Sequence, residues 1–350
     1  MIRNLDLLRT IAVLCVLADH LVGSVLVLEH RGVDVARRME TIGHLGVLLF
    51  FVHTALVLLR SLERAERRGL VLNFWIRRAF RIYPLCWAAL LGIVIFKVPQ
   101  FTGLTAMTWD WHVIMSNALL IQNLTHRPDM IDPLWSLPRE AQMYVVLPFI
   151  FLLLRRFPSS ITVLLLWLAS IELIAEMPFF TYFPCFLGGA LAYQLSRERT
   201  VQLPSAVFAG GLVLLIVGYA ALSWSGASLF YDFDFVLCMA LGALIPNVKD
   251  MGESFISRIS QVVARHSYGV YLCHVPILWF SLVRLHALPA VAQWLVCTGL
   301  MVVLPAIAYR LIEAPMIRVG QSLANRSAVR HYLWWPTSPG LVADGEPSVD

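Results

Sequence analysis

A succession of apolar runs, each close to the length of a bilayer crossing, constrains this chain more than any other feature. A spanning helix takes about 20 mostly apolar residues. Candidate runs lie near residues 5–28, 42–59, 82–98, 134–154, 160–177, 179–196, 205–224, 229–248, 268–286 and 290–312. So many runs leave little chain for a water-soluble core. The composition agrees: 59% of the 350 residues are hydrophobic, 14% are charged and the mean hydropathy is +0.74, whereas soluble domains stay near 45–50% apolar. These values exclude a secreted disulfide scaffold, a nucleic-acid reader and an ordinary cytosolic enzyme. They predict an all-α polytopic membrane protein with about ten transmembrane helices.

Basic residues orient those helices. The connection from Arg60 to Arg81 holds Arg60, Arg64, Arg67, Arg68, Arg77, Arg78 and Arg81, and further basic flanks fall at Arg155 with Arg156, Arg197 with Arg199, Lys249–Arg265 and Arg318–Arg330. The positive-inside rule makes these flanks cytoplasmic and places both termini inside. Run 82–98 then leaves the cytoplasm and run 134–154 must return to it, so the apolar piece 112–122 is expected to be re-entrant or interfacial. Arg31, Arg37 and Arg38 fall on the outer side, offset by Glu29, Asp34 and Glu40. The first run is too long and too polar for a signal peptide and is expected to be retained.

One membrane domain is expected over 1–320, followed by a short cytoplasmic tail, 321–350, that is partly disordered. The six cysteines lie in apolar segments with no CxxC pair, the pattern of packing residues and not of a disulfide framework or zinc site. No metal site is expected. The net charge of +5 is explained by membrane topology without a nucleic-acid partner.

The few ionisable groups inside the runs are the candidates for function, because each is costly in lipid. Arg9 and His20 are eleven positions apart, which brings them within roughly 20° of one helical face and about 16 Å apart along it. A snorkelling arginine and a hydrogen-bonded core histidine would also account for them. Asp19 projects about 100° from His20 and is expected to pair with a neighbouring helix or with outer-loop arginines. Arg78 and Arg81 share a face at the cytoplasmic start of a span, where two guanidiniums could clamp a phosphate or merely set topology. Glu140 and Tyr144 lie one turn apart at a depth similar to that of His20, where a carboxylate could orient an imidazole or pair with Arg139 or Arg31. Tyr271 and His274 are placed at the cytoplasmic start of the ninth span, with His274 open to reading as a core histidine. Glu313 is expected to pair with Arg310 or Arg318.

Several motifs occur in an order that resembles the membrane acyltransferase 3 family. RNLDLLRTIAVLCVLADH resembles the opening helix with its arginine, ten residues and histidine. GVLLFFVHTAL resembles the second-span motif FFxxSGF, FWIRRAFRIYPLCW the RxxR motif and LWSLPREAQMY the WSLsvEeqfY motif, while SYGVYLCHVP and IEAP resemble the closing signatures. The resemblance runs from Leu5 to about Leu323. Thr54, Ala55 and Leu56 replace the usual Ser-Gly-Phe, and Pro138, Arg139, Ala141 and Met143 change the context of Glu140. No appended hydrolase-like domain is expected.

The resemblance implies a multi-pass protein of the bacterial inner membrane that moves an acyl group, commonly acetyl, from cytoplasmic acyl-CoA to a hydroxyl of a sugar, polysaccharide or lipid-linked glycan. Acyl-CoA would be a cosubstrate, with no permanently bound cofactor. Arg78 and Arg81 would hold the CoA phosphates and Arg9 would guide the donor. His20 would act as general base or transient acyl carrier, oriented by Glu140. Tyr144, Thr54, Tyr271 and His274 are candidates for positioning the acceptor or thioester. A proton-coupled transporter or exporter of a small polar substrate remains the alternative, although such proteins more often show paired halves with interrupted segments.

Overall fold

The computed structural model describes residues 2–28, 33–64, 70–100, 109–177, 180–198, 202–224 and 230–334. Among them the chain is helical without a strand, apart from one isolated bridge between Leu203 and Val248. The helices are α1 (Ile2–Leu28), α2 (Val33–Arg64), α3 (Leu70–Phe96), α4 (Trp111–Ala118), α5 (Leu137–Arg156), α6 (Ser160–Glu176), α7 (Phe183–Glu198), α8 (Ala206–Trp224), α9 (Phe230–Leu244), α10 (Phe255–Leu278), α11 (Ala290–Ala308) and α12 (Ala314–Trp334). A 3-10 turn, Asp132–Ser136, leads directly into α5, and a π-helical turn, Tyr309–Glu313, joins α11 to α12.

Each apolar run of the sequence falls on one of these helices. Four segments are long and apolar enough to cross a membrane: Arg38–Arg64, Val71–Phe96, Asp132–Arg156 and Ala290–Asn325. Helix α4, with eight residues, is only about 12 Å long and cannot cross. The most apolar stretch of α2 is 72% buried and that of Ala290–Asn325 only 17%. Helix α2 is therefore the central pillar, and the α11–α12 rod presents side chains such as Val291, Leu295, Val302 and Leu311 outward, as a lipid-facing element does.

Close helix approach depends on missing side chains. A Cβ at Gly189 would fall on the carbonyl oxygen of Val52 in α2, and one at Gly242 would strike the backbone of Gly188, which locks α7 against both α2 and α9. In lipid, where apolar burial gives little drive for helix association, such backbone contact supplies the packing.

Helices α1 and α10 run parallel and in register. Asn4 donates from its backbone to Asp250 Oδ1 at 2.9 Å and from its side chain to the Lys249 carbonyl at 3.0 Å, and its Oδ1 accepts from Met251 N at 3.0 Å. Arg3 pairs with Glu253 at 2.8 Å, and further along Thr10 Oγ1 donates to the Ser260 carbonyl at 3.0 Å.

The structure corrects two sequence expectations. Helix α10 begins at Phe255, well before position 268, because Ser254 caps it through a reciprocal box with Ser257. Tyr271 and His274 therefore sit deep in the bundle, about 24 and 28 Å along their helix, not at its start. Helix α3 begins at Leu70, so Arg78 and Arg81 lie within it. Helix α12 continues through position 320 to Trp334, packed on α3 where Gly320 meets Phe80. Glu29 and Arg31 of the outer loop, Arg67, Arg68, Arg199 and the tail from residue 335 lie outside the described residues.

Replacing Gly189 by Leu forces α7 off α2 at the pillar of the bundle. Thermal unfolding in detergent should show a loss of about 1–3 kcal/mol, whereas the same change at Gly218, where a side chain would meet open space, should leave the midpoint nearly unchanged.

Candidate active site

A cavity of about 600 Å³, including its open mouth, lies between α1, α2, α3, α5 and α10. Arg9, Arg81, Thr54, Glu140, Tyr144 and Tyr271 line it. Five of the helices that carry the sequence motifs thus converge on one space.

The basic side of the cavity is short of partners. Arg81 Nη1 pairs with Glu313 Oε1 at 3.2 Å, which bridges α3 to the π-helical turn. Sequence proximity pairs Glu313 with Arg310 or Arg318 along its own helix; burial instead turns it inward to the nearest guanidinium. Arg9, Arg77 and Arg78 each bury an Nε with no hydrogen-bond partner among the described residues. Arg78 lies 5.7 Å over the Phe74 ring and does not line the cavity. Arg81 lines it and Arg78 stands behind, within electrostatic reach of Tyr144, Arg81 and Glu140. Buried His53, on α2 beside Thr54, has Arg9 and Arg81 as its charged neighbours. Such an excess of cation in an apolar bundle is costly unless an anion completes it.

Glu140 accepts from the Tyr144 hydroxyl at 2.6 Å and from Thr54 Oγ1 at 3.5 Å. The one-turn spacing of Glu140 and Tyr144 therefore produces the shared face expected of it. Tyr144 is fixed in turn by Phe74 and by Trp75, whose Nε1 donates to its carbonyl at 2.9 Å.

His20 has a different carboxylate from the one expected. Its Nε2 lies 2.9 Å from Asp132 Oδ2, its Nδ1 lies 2.9 Å from the Val16 carbonyl and its Nδ1 also lies 3.8 Å from Asp19 Oδ2. Glu140 is bound elsewhere, so the expected His20–Glu140 contact is replaced by His20–Asp132. Asp19 comes closer to His20 than its position on the helix suggests. It rests in a notch left by Gly43, where a Cβ would collide with its carboxylate.

His274 meets His20 edge to face, with ring centroids 4.9 Å apart. Its Nδ1 lies 3.0 Å from the Val270 carbonyl, and its Nε2 is buried without a partner among the described residues. Tyr271 stands between this imidazole pair and the cavity. Its ring is 6.0 Å from His274, and its hydroxyl donates to the Pro133 carbonyl at 2.5 Å and lies 2.6 Å from Ser136 Oγ. The cavity, Tyr271, His274, His20 and Asp132 thus form a continuous series. Nearby, His44 Nε2 contacts buried Asp234 at 2.8 Å, Tyr219 donates to the same carboxylate at 2.9 Å, and the His44 ring stacks 5.8 Å from Trp135.

Asp132, His53 and the His44–Asp234 pair did not emerge from the sequence. Asp132 reads as a loop acid just ahead of an apolar run; its signal was the adjacent Pro133, which starts a turn at the depth of His20.

A family model described as an acyltransferase domain matches residues 2–310. The chain is 27% identical to an O-acetyltransferase, OatA, of Staphylococcus aureus, over 79% of this chain and 53% of that protein. It is 22% identical to a peptidoglycan O-acetyltransferase, OatA, of Listeria monocytogenes, over 98% of this chain and 61% of that protein. It is 30% identical to an acyltransferase, MdmB, of Streptomyces mycarofaciens, over 43% of this chain and 39% of that protein. The matches thus span between 39% and 61% of these relatives' lengths. No solved structure matches. With motifs in order, the helices that carry them converging on one cavity and a family model that spans most of its length, the chain belongs to the membrane acyltransferase 3 family.

Proposed function

We propose that this protein is an O-acyltransferase of the bacterial inner membrane that moves an acyl group, acetyl in the first instance, from acyl-CoA to a hydroxyl of a sugar or lipid-linked glycan. The observation that carries this reading is the cavity itself, with under-partnered arginines on one side and Tyr271, leading to the two imidazoles, on another. The chemistry of this lining suits a phosphorylated, elongated thioester, whose anionic end would meet guanidinium while its thin arm reaches inward. The glycan acceptor is favoured by the peptidoglycan O-acetyltransferase among the relatives.

In this reading about ten helices span the membrane, both termini are cytoplasmic and the donor enters from that side. Arg81 and Arg9 bind donor phosphate at the cavity wall, and Arg78 adds to the positive field behind them. A sugar hydroxyl is a weak nucleophile until a base takes its proton, and an imidazole does so near neutral pH. His20 supplies that base, or carries the acyl group transiently. Glu140, held by Tyr144 and Thr54, lies in the donor cavity, so its part is to place the thioester or acceptor within that cavity.

Two outcomes test this reading. In purified full-length protein, His20→Ala should abolish acetyl transfer from acetyl-CoA while donor binding by calorimetry persists, and Arg78→Ala should weaken binding first. Normal turnover by His20→Ala would refute the site. Separately, Arg81→Ala strands the buried Glu313 carboxylate and should cost about 3–5 kcal/mol of stability. Adding Glu313→Gln should restore much of that stability but not donor binding, which thermal unfolding and calorimetry would separate.

A further inference from the structure

The proposed reaction needs one nitrogen of His20 to exchange a proton with substrate, and the surroundings of the ring are unequal in a way that selects it. Nε2 faces a carboxylate, Asp132 Oδ2, at hydrogen-bond distance. Nδ1 faces the Val16 carbonyl, which as part of α1 already accepts the helical N–H of His20 itself. Both partners are acceptors, so a ring with one proton can donate to only one of them. The proton shared with a carboxylate is held more firmly than one shared with an occupied carbonyl. The remaining groups facing the ring are Asp19, 3.8 Å from Nδ1 and beyond hydrogen-bond distance, and the edge-on His274. Glu40 and His44 of α2 lie near Asp19.

Asp132 is also held in place by an unusual amount of structure. It opens a 3-10 turn in which three successive carbonyls each accept from a side chain: Pro133 from Tyr271, Leu134 from Gln122 at 3.3 Å and Trp135 from Arg139, four residues on in α5. Its own backbone N–H donates to the Gln100 carbonyl at 3.2 Å. The Asp132 side chain remains 42% exposed, so packing alone does not account for a turn fixed at so many points. Such bracing is what keeps a supporting group within catalytic tolerance.

We propose that Asp132 is the positioning residue of the reaction: by keeping a proton on Nε2 it leaves Nδ1 as the nitrogen that exchanges a proton with substrate. Nδ1 points back along α1 toward Val16, the direction in which Arg9 and the donor cavity lie. In the transfer step, which begins with the neutral ring protonated at Nε2 alone, the acceptor hydroxyl gives its proton to Nδ1 while its oxygen bonds the acyl carbon. The carbon–sulfur bond then breaks, and the leaving thiolate takes the proton from Nδ1, so no proton or electron is left over. This inference rests on the proposed role of His20.

The test combines ¹⁵N NMR of histidine-labelled full-length protein with acetyl-transfer kinetics. Wild type should show His20 protonated at Nε2, the resonance being assigned by its loss in His20→Gln. Asp132→Ala leaves the Val16 carbonyl as the ring's hydrogen-bonded partner, so the proton should move to Nδ1 and turnover should fall about 100-fold, with acetyl-CoA affinity unchanged. Asp132→Asn, which preserves shape and an acceptor oxygen, should fall less and serves if the alanine variant does not fold. Glu140→Gln should leave the His20 resonances where they are. An unchanged His20 spectrum or full turnover in Asp132→Ala, with His20→Ala inactive, would overturn the role given to Asp132. Normal turnover by His20→Ala would instead overturn the reading beneath it.

Discussion

The side chain of Asn4, through its bonds to the backbone of Lys249 and Met251, sets the register on which the site depends. Those bonds start α1 and α10 from a common level, and Thr10 with Ser260 keeps them in step. His20 and His274 then arrive side by side although more than 250 residues separate them in the chain. A slip of one turn, about 5.4 Å, would break the edge-to-face contact and carry Tyr271 away from the 3-10 turn that bears Asp132. The hydrogen bonds are individually modest. Their effect is geometric, since both helices project inward side chains that have no other means of meeting.

Charge provides the second constraint. Most arginines of the sequence flank its apolar runs. Arg9 and Arg81 line an internal cavity, and only Arg81 has a carboxylate partner, Glu313, among the described residues. The carboxylates engage different groups: near the imidazoles Asp132 holds His20, with Asp19 3.8 Å from the same ring, and Asp234 holds His44, while Glu140 in the cavity holds Tyr144 with Thr54. Arg9 is therefore left without an ion-pair partner among the described residues, whereas His20 and His44 each face a carboxylate. The proposed binding of an anionic donor at the cavity wall, with proton exchange further in, rests on that difference.

The sequence made the helical class legible because long apolar runs in series have few other solutions. It also made Arg9, His20, Glu140 and Tyr144 legible, since ionisable or hydroxylated groups one or three turns apart share a face whatever the tertiary structure does. Pairings between helices were another matter. His20 and Glu140 have compatible depths, but depth does not fix rotation about the bundle axis, and a turn residue, Asp132, reaches His20 instead. Helix starts were misplaced where polar turns precede the apolar run: α10 begins at a capping box among charged residues, which hydropathy does not register. Glu313 illustrates the same limit, because Arg310 and Arg318 are near it in sequence and Arg81 is near it in space.

The central claim is that a cavity rich in arginine feeds a thioester to an imidazole for transfer to a hydroxyl. Its most direct test is release of the CoA thiol from acetyl-CoA by the purified full-length protein in proteoliposomes, followed with and without a glycan acceptor. The account expects thiol release that rises with acceptor and matches acetyl ester formed, one for one. Movement of a solute across the bilayer with no thiol released under any acceptor would contradict it.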